Sequence, residues 1–316
     1  MRLNTIKTRV LFATLILAVL ASAAHAAVRF VSFQHLGVSA GLPDDSVFSV
    51  TQDNQGLVWI ATDSGLARFD GNTVTTYAHS SKKTSLPVNW IWGLAKGPKD
   101  NIWMVTAGGG LVRWSRASNT FTEFRRVIKN KSSVVSNDLV AIAISSRGLI
   151  AVGSESDGLS ILNPKTGVFT DFRVGSTRHH SLSNNTIEAL LFDKRGNLWV
   201  GTGNGLDELE KDSDRFKKVL FKENPGQKTA IKVISLAEDK NGDILAGTRN
   251  QGLFVLDSAG RTVKAFQHRK SRPQSLGSNA VFSLLCDRRG RIWVGTNKGL
   301  ELMNASGTGF IKYAGK

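Results

Sequence analysis

Aspartates recur at one position of a repeated stretch, and they are the first candidates for chemistry. The clearest copy reads Asp193-Lys-Arg-Gly-Asn-Leu-Trp199-Val-Gly-Thr-Gly-Asn-Gly205-Leu206, and the same position holds Asp53, Asp239 and Asp287 in other copies. Carboxylates that converge can act as acid and base, but these lie in separate copies. Asp-x-x-Gly is typical of a tight turn, in which the carboxylate binds its own backbone and glycine takes positive φ. We therefore predict a structural role for these aspartates.

Tryptophans and histidines are the other candidates. The second strand of four copies carries a tryptophan, at Trp59, Trp103, Trp199 and Trp293. These rings could stack on sugars, but a strand sandwiched between neighbouring sheets favours core packing. His179-His180 is the one pair of adjacent histidines, and no Cys, Asp or Glu follows at ligand spacing. We predict no metal site, no cofactor and no catalytic residue, since no hydrolase, kinase or cyclase motif is present.

Basic residues give a more informative pattern. The chain has 41 Lys and Arg against 25 Asp and Glu, a formal net charge of +16. Its basic clusters fall in the fourth strand of a repeat or in the connection to the next: Lys82, Lys83, Arg125, Arg126, Lys129, Arg173, Arg178, Lys217, Lys218, Arg269 and Lys270. If those connections share one face, their charge would hold an anionic partner such as an anionic glycan. A merely solvated surface remains the alternative. We expect no nucleic-acid partner.

The repeat itself predicts the architecture of residues 28–316. Its closing Gly-Leu pairs begin at residues 65, 110, 158, 205, 252 and 299, a period of about 45–48 residues. Each copy can be divided into four short strands, which in the first copy span 46–52, 57–62, 66–69 and 73–77. Four antiparallel strands per repeat without helices indicate an all-β fold, a β-propeller of four-stranded blades with six repeats visible.

Two further segments raise the question of ring closure. Residues 29–35 and 309–313 both have the pattern of a fourth strand. In a six-bladed ring they would compete for one slot, so the count favours an incomplete seven-bladed ring. A six-bladed ring with one surplus strand remains open.

The first 26 residues have the pattern of a cleavable signal peptide. Arg2, Lys7 and Arg9 form a basic start, residues 10–20 are apolar, and Ala24-His25-Ala26 suits cleavage. The apolar run is shorter than the roughly 20 residues that a membrane-spanning helix needs. We therefore predict an exported chain.

Positions where the copies differ are the better candidates for ligand binding. The residue before each first strand varies, and the second residue of that strand is apolar in every copy except at Glu188. A carboxylate in an apolar series is costly unless it is paired or hydrated. We predict that Trp90, Asp138, Glu188 and Lys232 surround the mouth of a central channel and bind a ligand there.

The repeat resembles the two-component regulator propeller repeat. The resemblance rests on the Asp-x-x-Gly-x-x-Trp-x-x-Thr-x-x-Gly-Leu stretch and on the stretches before the first strands, 39–49 and 181–187. It is close in copies one, four and six, and looser in the others. It implies the periplasmic sensor region of a membrane-anchored protein, with a downstream histidine kinase or diguanylate cyclase as the signalling domain.

The resemblance therefore implies a periplasmic ligand-sensing propeller that passes a signal to a downstream domain or partner protein. It also allows a dimer in the full-length, inner-membrane-anchored protein. No output motif is present in this sequence. An exported propeller enzyme of the lyase or lactonase type, or a structural propeller that binds a protein, remains the alternative.

Overall fold

The computed structural model describes residues 29–30, 33–175, 181–221 and 230–314. The predicted signal peptide, Arg178 and the pair His179-His180 lie outside these residues. Apart from two short 3₁₀ turns, Val38–Ala40 and Pro98–Asp100, the regular elements of the described chain are β-strands.

The described residues form six four-stranded antiparallel blades that follow one another around a ring, so the predicted β-propeller is confirmed. A two-residue strand, β1 (Arg29–Phe30), precedes them. Blade one contains β2 (Val47–Gln52), β3 (Val58–Thr62), β4 (Leu66–Phe69) and β5 (Val74–Tyr77). Blade two contains β6 (Ile91–Lys96), β7 (Ile102–Thr106), β8 (Gly110–Ser115) and β9 (Thr120–Phe124). Blade three contains β10 (Leu139–Ile144), β11 (Ile150–Ser154), β12 (Leu159–Asn163) and β13 (Val168–Phe172).

The second half of the ring repeats this plan. Blade four contains β14 (Ile187–Phe192), β15 (Leu198–Thr202), β16 (Gly205–Leu209) and β17 (Phe216–Val219). Blade five contains β18 (Val233–Glu238), β19 (Ile244–Thr248), β20 (Leu253–Leu256) and β21 (Thr262–Phe266). Blade six contains β22 (Val281–Cys286), β23 (Ile292–Thr296), β24 (Gly299–Met303) and β25 (Phe310–Ala314).

The core lies between the blades. Trp199 is buried with Leu206 of its own blade and with Val233, Ile244 and Leu256 of blade five. Trp59 and Trp103 are also buried, whereas Trp293 of blade six is half-buried. The prediction that the tryptophans pack between blades is therefore confirmed for blades one, two and four.

The repeated aspartates are turn residues, as predicted. Oδ1 of Asp287 accepts hydrogen bonds from the backbone N–H groups of Arg289 and Arg291, each at 2.9 Å. Its Oδ2 accepts one from Nε1 of Trp293 at 3.0 Å. The hydrogen bond from Trp293 is the largest of several influences that hold the pKa of Asp287 well below its ordinary value.

The first strand of each blade carries a β-bulge at one place. In blade four, Ile187 lies opposite Thr202 and Ala189 lies opposite Gly201, so Glu188 has no partner in the ladder. The same irregularity follows the first residue of all six innermost strands. A bulge re-aims one side chain while the strand continues. The bulge position is therefore the place on each innermost strand where a side chain can vary without disturbing the blade.

The chain ends differ from the expectation of a separate seventh blade. β25 takes the fourth place of blade six, antiparallel to β24. β1 adds outside it as a fifth strand, parallel to β25, with Arg29 opposite Tyr313. Residues 33–35 are not in a strand. The prediction that residues 29–35 form the fourth strand of a blade is therefore wrong. β25 takes that place in blade six, and β1 is a shorter strand that pairs parallel to it.

Candidate functional site

The connections between blades lie at one end of the disc, beside the turns that join second and third strands. The carbonyl of Asn137, in the connection to blade three, accepts hydrogen bonds from N–H of Gly108 at 3.1 Å and Gly110 at 2.8 Å, in the turn of blade two. The carbonyl of Asn185 does the same for Gly158 at 3.0 Å. We call this end the connection face, and it comprises the described parts of residues 78–90, 125–138, 173–186, 220–232 and 267–280.

Asparagine side chains close these connections into defined loops. In four of them, Oδ1 of an asparagine accepts a hydrogen bond of 2.6–2.8 Å from the backbone N–H that follows the preceding fourth strand. The pairs are Asn89 with His79, Asn137 with Arg126, Asn185 with Val174, and Asn279 with His268. The sequence analysis did not predict this role, although Asn89, Asn185 and Asn279 each follow a leucine by three residues.

Buried carboxylates of the third strands also hold the connections in place by hydrogen bonds. Asp207 accepts hydrogen bonds from Ser183, from its backbone N–H at 2.8 Å and its hydroxyl at 2.5 Å. Glu301 accepts one from the backbone N–H of Gly277 at 2.9 Å. Burial raises the pKa of Asp207 and of Glu301, and these hydrogen bonds oppose the rise. These carboxylates hold loops in place, and the sequence search for candidate acids did not find them.

Two of the predicted channel-mouth residues meet in an ion pair. Nζ of Lys232, just before β18, lies 2.6 Å from Oε1 of Glu188 at the bulge of β14. Both side chains are partly exposed. The backbone of Lys232 is fixed as well, because its carbonyl accepts a hydrogen bond of 3.0 Å from N–H of Arg249. The carboxylate that breaks the apolar series is thus paired across two blades.

The other two predicted residues lie in different surroundings. Trp90 is 44% exposed and packs with Phe48 and Trp92, with ring centroids 6.4 and 5.3 Å away. Asp138 is exposed, and its backbone N–H donates to Oγ of Ser136 at 3.2 Å. Within the described residues, no hydrogen bond, ion pair or ring contact joins Trp90 or Asp138 to Glu188 or Lys232. Ligand binding by the four stays a prediction.

Three residues of the predicted basic set gather in one cleft on the connection face. Lys82, Lys83 and Arg125 line a cleft of about 360 Å³ together with His79, Phe121 and Glu123. The cleft lies between the connection from blade one to blade two and β9, the outermost strand of blade two. Within it, Arg125 lies 3.5 Å from Glu123. The charges of the cleft therefore comprise three cations and one carboxylate.

The wall of the cleft is held by hydrogen bonds within its own loop. Nδ1 of His79 lies 3.0 Å from the carbonyl oxygen of Leu86. A carbonyl can only accept, so the proton of a neutral His79 is assigned to Nδ1. Oγ of Ser85 donates to the carbonyl of Lys82 at 2.7 Å. The loop that carries the two lysines is thus fixed before any ligand arrives.

The remaining basic residues do not share this cleft. Arg126 lies 3.8 Å from Asp157, and Nε of Arg173 donates to the carbonyl of Asp157 at 3.0 Å. Lys217 lies 4.0 Å from the buried Glu208. Exposed positions are held by Lys129, Lys218, Arg269 and Lys270. The predicted basic residues therefore do not form one continuous surface, and three of them are concentrated in the cleft.

The described residues contain no group of three or more His, Cys, Asp or Glu side chains placed to hold a metal ion. Among them, no helix has the length and apolar character needed to cross a membrane.

The fold and its repeated motifs place the protein first among β-propellers with four-stranded blades. Three stretches, residues 41–64, 181–204 and 275–298, match the model of the two-component regulator propeller family. They span the connections and first two strands of blades one, four and six. These stretches are similar to two-component regulator propeller repeats, so the resemblance seen in the sequence is confirmed.

The relatives that this chain matches include signalling proteins. It is 28% identical over 203 residues to Histidine kinase P4 of Formosa agariphila, a match that covers 63% of this chain and 14% of the kinase. The extracellular domain described as that of a hybrid two-component system of B. thetaiotaomicron has the same fold, with a TM-score of 0.73 and 24% identity, covering 90% of this chain and 37% of that one. The chain therefore spans well under half the length of these relatives.

Enzymes share the fold as well. Virginiamycin B lyase from Staphylococcus aureus matches with a TM-score of 0.66 and 10% identity, over 89% of this chain and 87% of the lyase. The propeller fold alone therefore does not separate a sensor from an enzyme.

Proposed function

We propose that this chain is the periplasmic ligand-binding propeller of a bacterial signal-transduction protein, and that it binds an anionic glycan in the cleft of Lys82, Lys83 and Arg125. The observation that carries the proposal is the concentration of three cations against one carboxylate in a cleft whose loop is already fixed. The two-component regulator propeller repeats and the histidine kinase relative support the signalling role.

The chemistry of the cleft suits a carboxylated or sulfated sugar. Arg125 offers a planar set of N–H donors that can bind a carboxylate or sulfate with two hydrogen bonds. Lys82 and Lys83 supply further point charges in the same cleft. A fixed loop loses little conformational entropy on binding. The cleft thus offers the positive charge that an acidic sugar requires.

Signal transmission would follow from where the cleft lies. A ligand that bridges the connection 78–90 and β9 favours one spacing between blades one and two. A following domain or partner that packs on the connection face would sense this spacing, since a ligand shifts an equilibrium by its difference in affinity for two states. The downstream kinase or cyclase, the partner protein and the dimer of the full-length protein belong to the same proposal.

The test is a binding panel with matched variants. Isothermal titration calorimetry of the purified chain is run with oligogalacturonate, heparin-derived oligosaccharides and neutral oligosaccharides of equal length. Lys82→Gln/Lys83→Gln should weaken binding of the anionic ligand at least about tenfold, a loss of about 1.4 kcal/mol. The control Arg288→Gln/Arg289→Gln removes equal charge from an exposed turn at the opposite end of the disc and should leave the affinity nearly unchanged.

Three outcomes would count against the proposal. Equal weakening by both double variants would show that only net charge matters. Equal affinity for neutral oligosaccharides would show that the three cations do not select the ligand. Cleavage of the bound oligosaccharide by the wild-type chain would favour the propeller lyase, which is the alternative that shares this fold.

A further inference from the structure

The connection between blades five and six, residues 267–280, repeats the loop that carries the two lysines of the cleft. Nδ1 of His268 lies 2.7 Å from the carbonyl oxygen of Leu276. This contact is equivalent to the one of 3.0 Å between His79 and Leu86. The loop between blades five and six is therefore fixed by the same internal contact as the loop of the cleft.

Arg272 takes the place in this loop that Lys82 takes in the other. The backbone N–H of Ser275 donates a hydrogen bond of 2.9 Å to the carbonyl of Arg272, and that of Ser85 donates one of 2.9 Å to Lys82. The loop between blades five and six also carries two further exposed cations, Arg269 and Lys270. Three cations thus lie on a loop of defined shape.

The outermost strand of blade six meets this loop as β9 meets the loop of the cleft. The backbone N–H of Phe310 in β25 donates to the carbonyl of Gln274 at 2.8 Å. The backbone N–H of Phe121 in β9 donates to the carbonyl of Thr84 at 3.1 Å. Phe310 therefore corresponds to Phe121, which lines the cleft.

One charge differs between the two strands. Side chains alternate along a strand, so the second residue after each phenylalanine points to the same side as its ring. That residue is Glu123 in β9, where it lies 3.5 Å from Arg125, and Lys312 in β25. Blade six therefore adds a cation where blade two has a carboxylate. We call the resulting set the blade-six cations, and it comprises Arg269, Lys270, Arg272 and Lys312.

The carboxylate beside Lys312 is buried and already bonded. Glu301 lies opposite Lys312 in the ladder and is 1% exposed. It accepts hydrogen bonds from the backbone N–H of Gly277 at 2.9 Å and from the hydroxyl of Thr296 at 3.1 Å. In the described part of the chain, none of the blade-six cations is ion-paired with a carboxylate. Their charge is therefore available to a ligand.

We propose that the blade-six cations form a second anion site on the connection face, which binds a sulfated sugar. This inference rests on the proposed function, since it adds a second site for the same class of ligand. Arginine can bind a sulfate group with two hydrogen bonds. Coulomb attraction grows with the product of the charges. With Lys312 where the cleft has Glu123, this site favours ligands that carry more negative charge per sugar than a carboxylated glycan.

Isothermal titration calorimetry tests the second site after the cleft has been disabled. In the Lys82→Gln/Lys83→Gln variant, the affinity for a sulfated heparin-derived disaccharide is measured. Adding Arg269→Gln/Arg272→Gln should weaken the remaining binding at least about tenfold, because two charged contacts are lost. Adding Arg288→Gln/Arg289→Gln instead removes equal charge at the opposite end of the disc and should change the affinity less than about twofold. Circular dichroism checks that each variant is folded.

A second measurement tests the selectivity of the site. In the same Lys82→Gln/Lys83→Gln background, the sulfated disaccharide should bind at least about tenfold more tightly than digalacturonate. Lys312→Glu gives β25 the residue that β9 has, and it should reduce this preference. Equal affinity for the two disaccharides would overturn the assignment of a sulfated ligand.

The variants separate failure of the second site from failure of the cleft. Unchanged affinity on adding Arg269→Gln/Arg272→Gln overturns the second site, even if Lys82→Gln/Lys83→Gln weakens binding as the proposed function requires. Binding that Lys82→Gln/Lys83→Gln leaves intact and Arg269→Gln/Arg272→Gln removes would support the second site and contradict the cleft. Equal weakening by Arg288→Gln/Arg289→Gln would show an effect of net charge alone and overturn the second site.

Discussion

Nε1 of Trp199 lies 3.1 Å from Oδ2 of Asp193 and donates a hydrogen bond that ties the second strand of blade four to the turn before it. Trp59 and Asp53 repeat the bond in blade one at 3.1 Å. Blade two lacks it, because Gly97 replaces the aspartate. Nε1 of the buried Trp103 has no hydrogen-bond partner in the described part of the chain. The protein therefore contains a matched pair of buried indoles, one bonded and one not.

The first prediction uses this pair. Trp199→Phe and Trp103→Phe remove the same indole atoms from buried sites, but only Trp199→Phe removes a hydrogen bond to a carboxylate. We expect Trp199→Phe to lower the free energy of unfolding by about 1.5–3 kcal/mol more than Trp103→Phe, the usual contribution of a hydrogen bond to a charged group. Urea unfolding followed by circular dichroism measures the difference. Equal losses would mean that the repeated Asp-Trp bond contributes nothing to stability.

A second prediction concerns acid stability through Asp70. Hydrogen bonds from the backbone N–H and hydroxyl of Thr73, each 2.7 Å long, lower the pKa of Asp70 from 3.8 to about 2. A lowered pKa means that the stabilisation is present above the unfolded value of 3.8 and is lost as the pH falls through about 2. The Tm advantage of the wild type over Asp70→Asn should therefore shrink between pH 5 and pH 2.

Asp207 supplies the opposite case as a control. Burial raises the pKa of Asp207 above its ordinary 3.8, so the folded protein binds a proton more readily than the unfolded chain. Stability relative to Asp207→Asn should rise as the pH falls toward 3.8. If the stability of the wild type relative to both variants changed with pH in the same direction, the opposite pKa shifts of Asp70 and Asp207 would be contradicted.

A third prediction compares equivalent leucines, one packed between two blades and one partly exposed on blade six. Leu206 is fully buried between blades four and five, whereas Leu300, at the same place in blade six, is 36% exposed. Leu206→Ala should cost about 2–5 kcal/mol of unfolding free energy, as core truncations do. Leu300→Ala should cost less than half as much. A cost at Leu300 equal to that at Leu206 would show that the side of blade six is covered in solution.

The fourth prediction concerns the ion pair at the channel mouth. Both side chains of the Glu188–Lys232 pair are partly exposed, so the coupling should be small despite the 2.6 Å separation. A double-mutant cycle with Glu188→Gln and Lys232→Met should give a coupling free energy of about 0.2–1 kcal/mol that falls with added salt. A coupling several times larger and independent of salt would indicate a site closed to water, and would contradict the partial exposure of both side chains.

Much of the fold could be predicted because the sequence patterns that indicate it span only a few residues each. The period of the Gly-Leu pairs predicts the blades, and the predicted third strand of blade one, 66–69, has the observed bounds of β4. The Asp-x-x-Gly turn and the buried tryptophans follow from residue chemistry within a few positions. The bulge at Glu188 was not predicted, although it falls where a carboxylate breaks the apolar series of the other copies.

Other features depend on contacts distant in the sequence. The cleft brings Lys82 and Lys83 to Arg125 across two blades, and no spacing in the sequence predicts that Arg173 would instead bind the carbonyl of Asp157. The sequence gives no sign that Asp207 is a buried brace, because its partner, Ser183, precedes it by 24 residues. The parallel pairing of Arg29 beside Tyr313 joins the two ends of the described chain, which patterning within single strands could not predict.

The central claim is that ligand binding resides where the blades differ, in the cleft of the connection face, and not in the motif that recurs. Hydrogen–deuterium exchange of the chain with and without the tightest-binding anionic oligosaccharide of the panel tests this most directly. The account predicts slower exchange in residues 78–90 and 120–125, with residues 193–206 unchanged. Protection confined to residues 193–206 and the equivalent turns of other blades would contradict it.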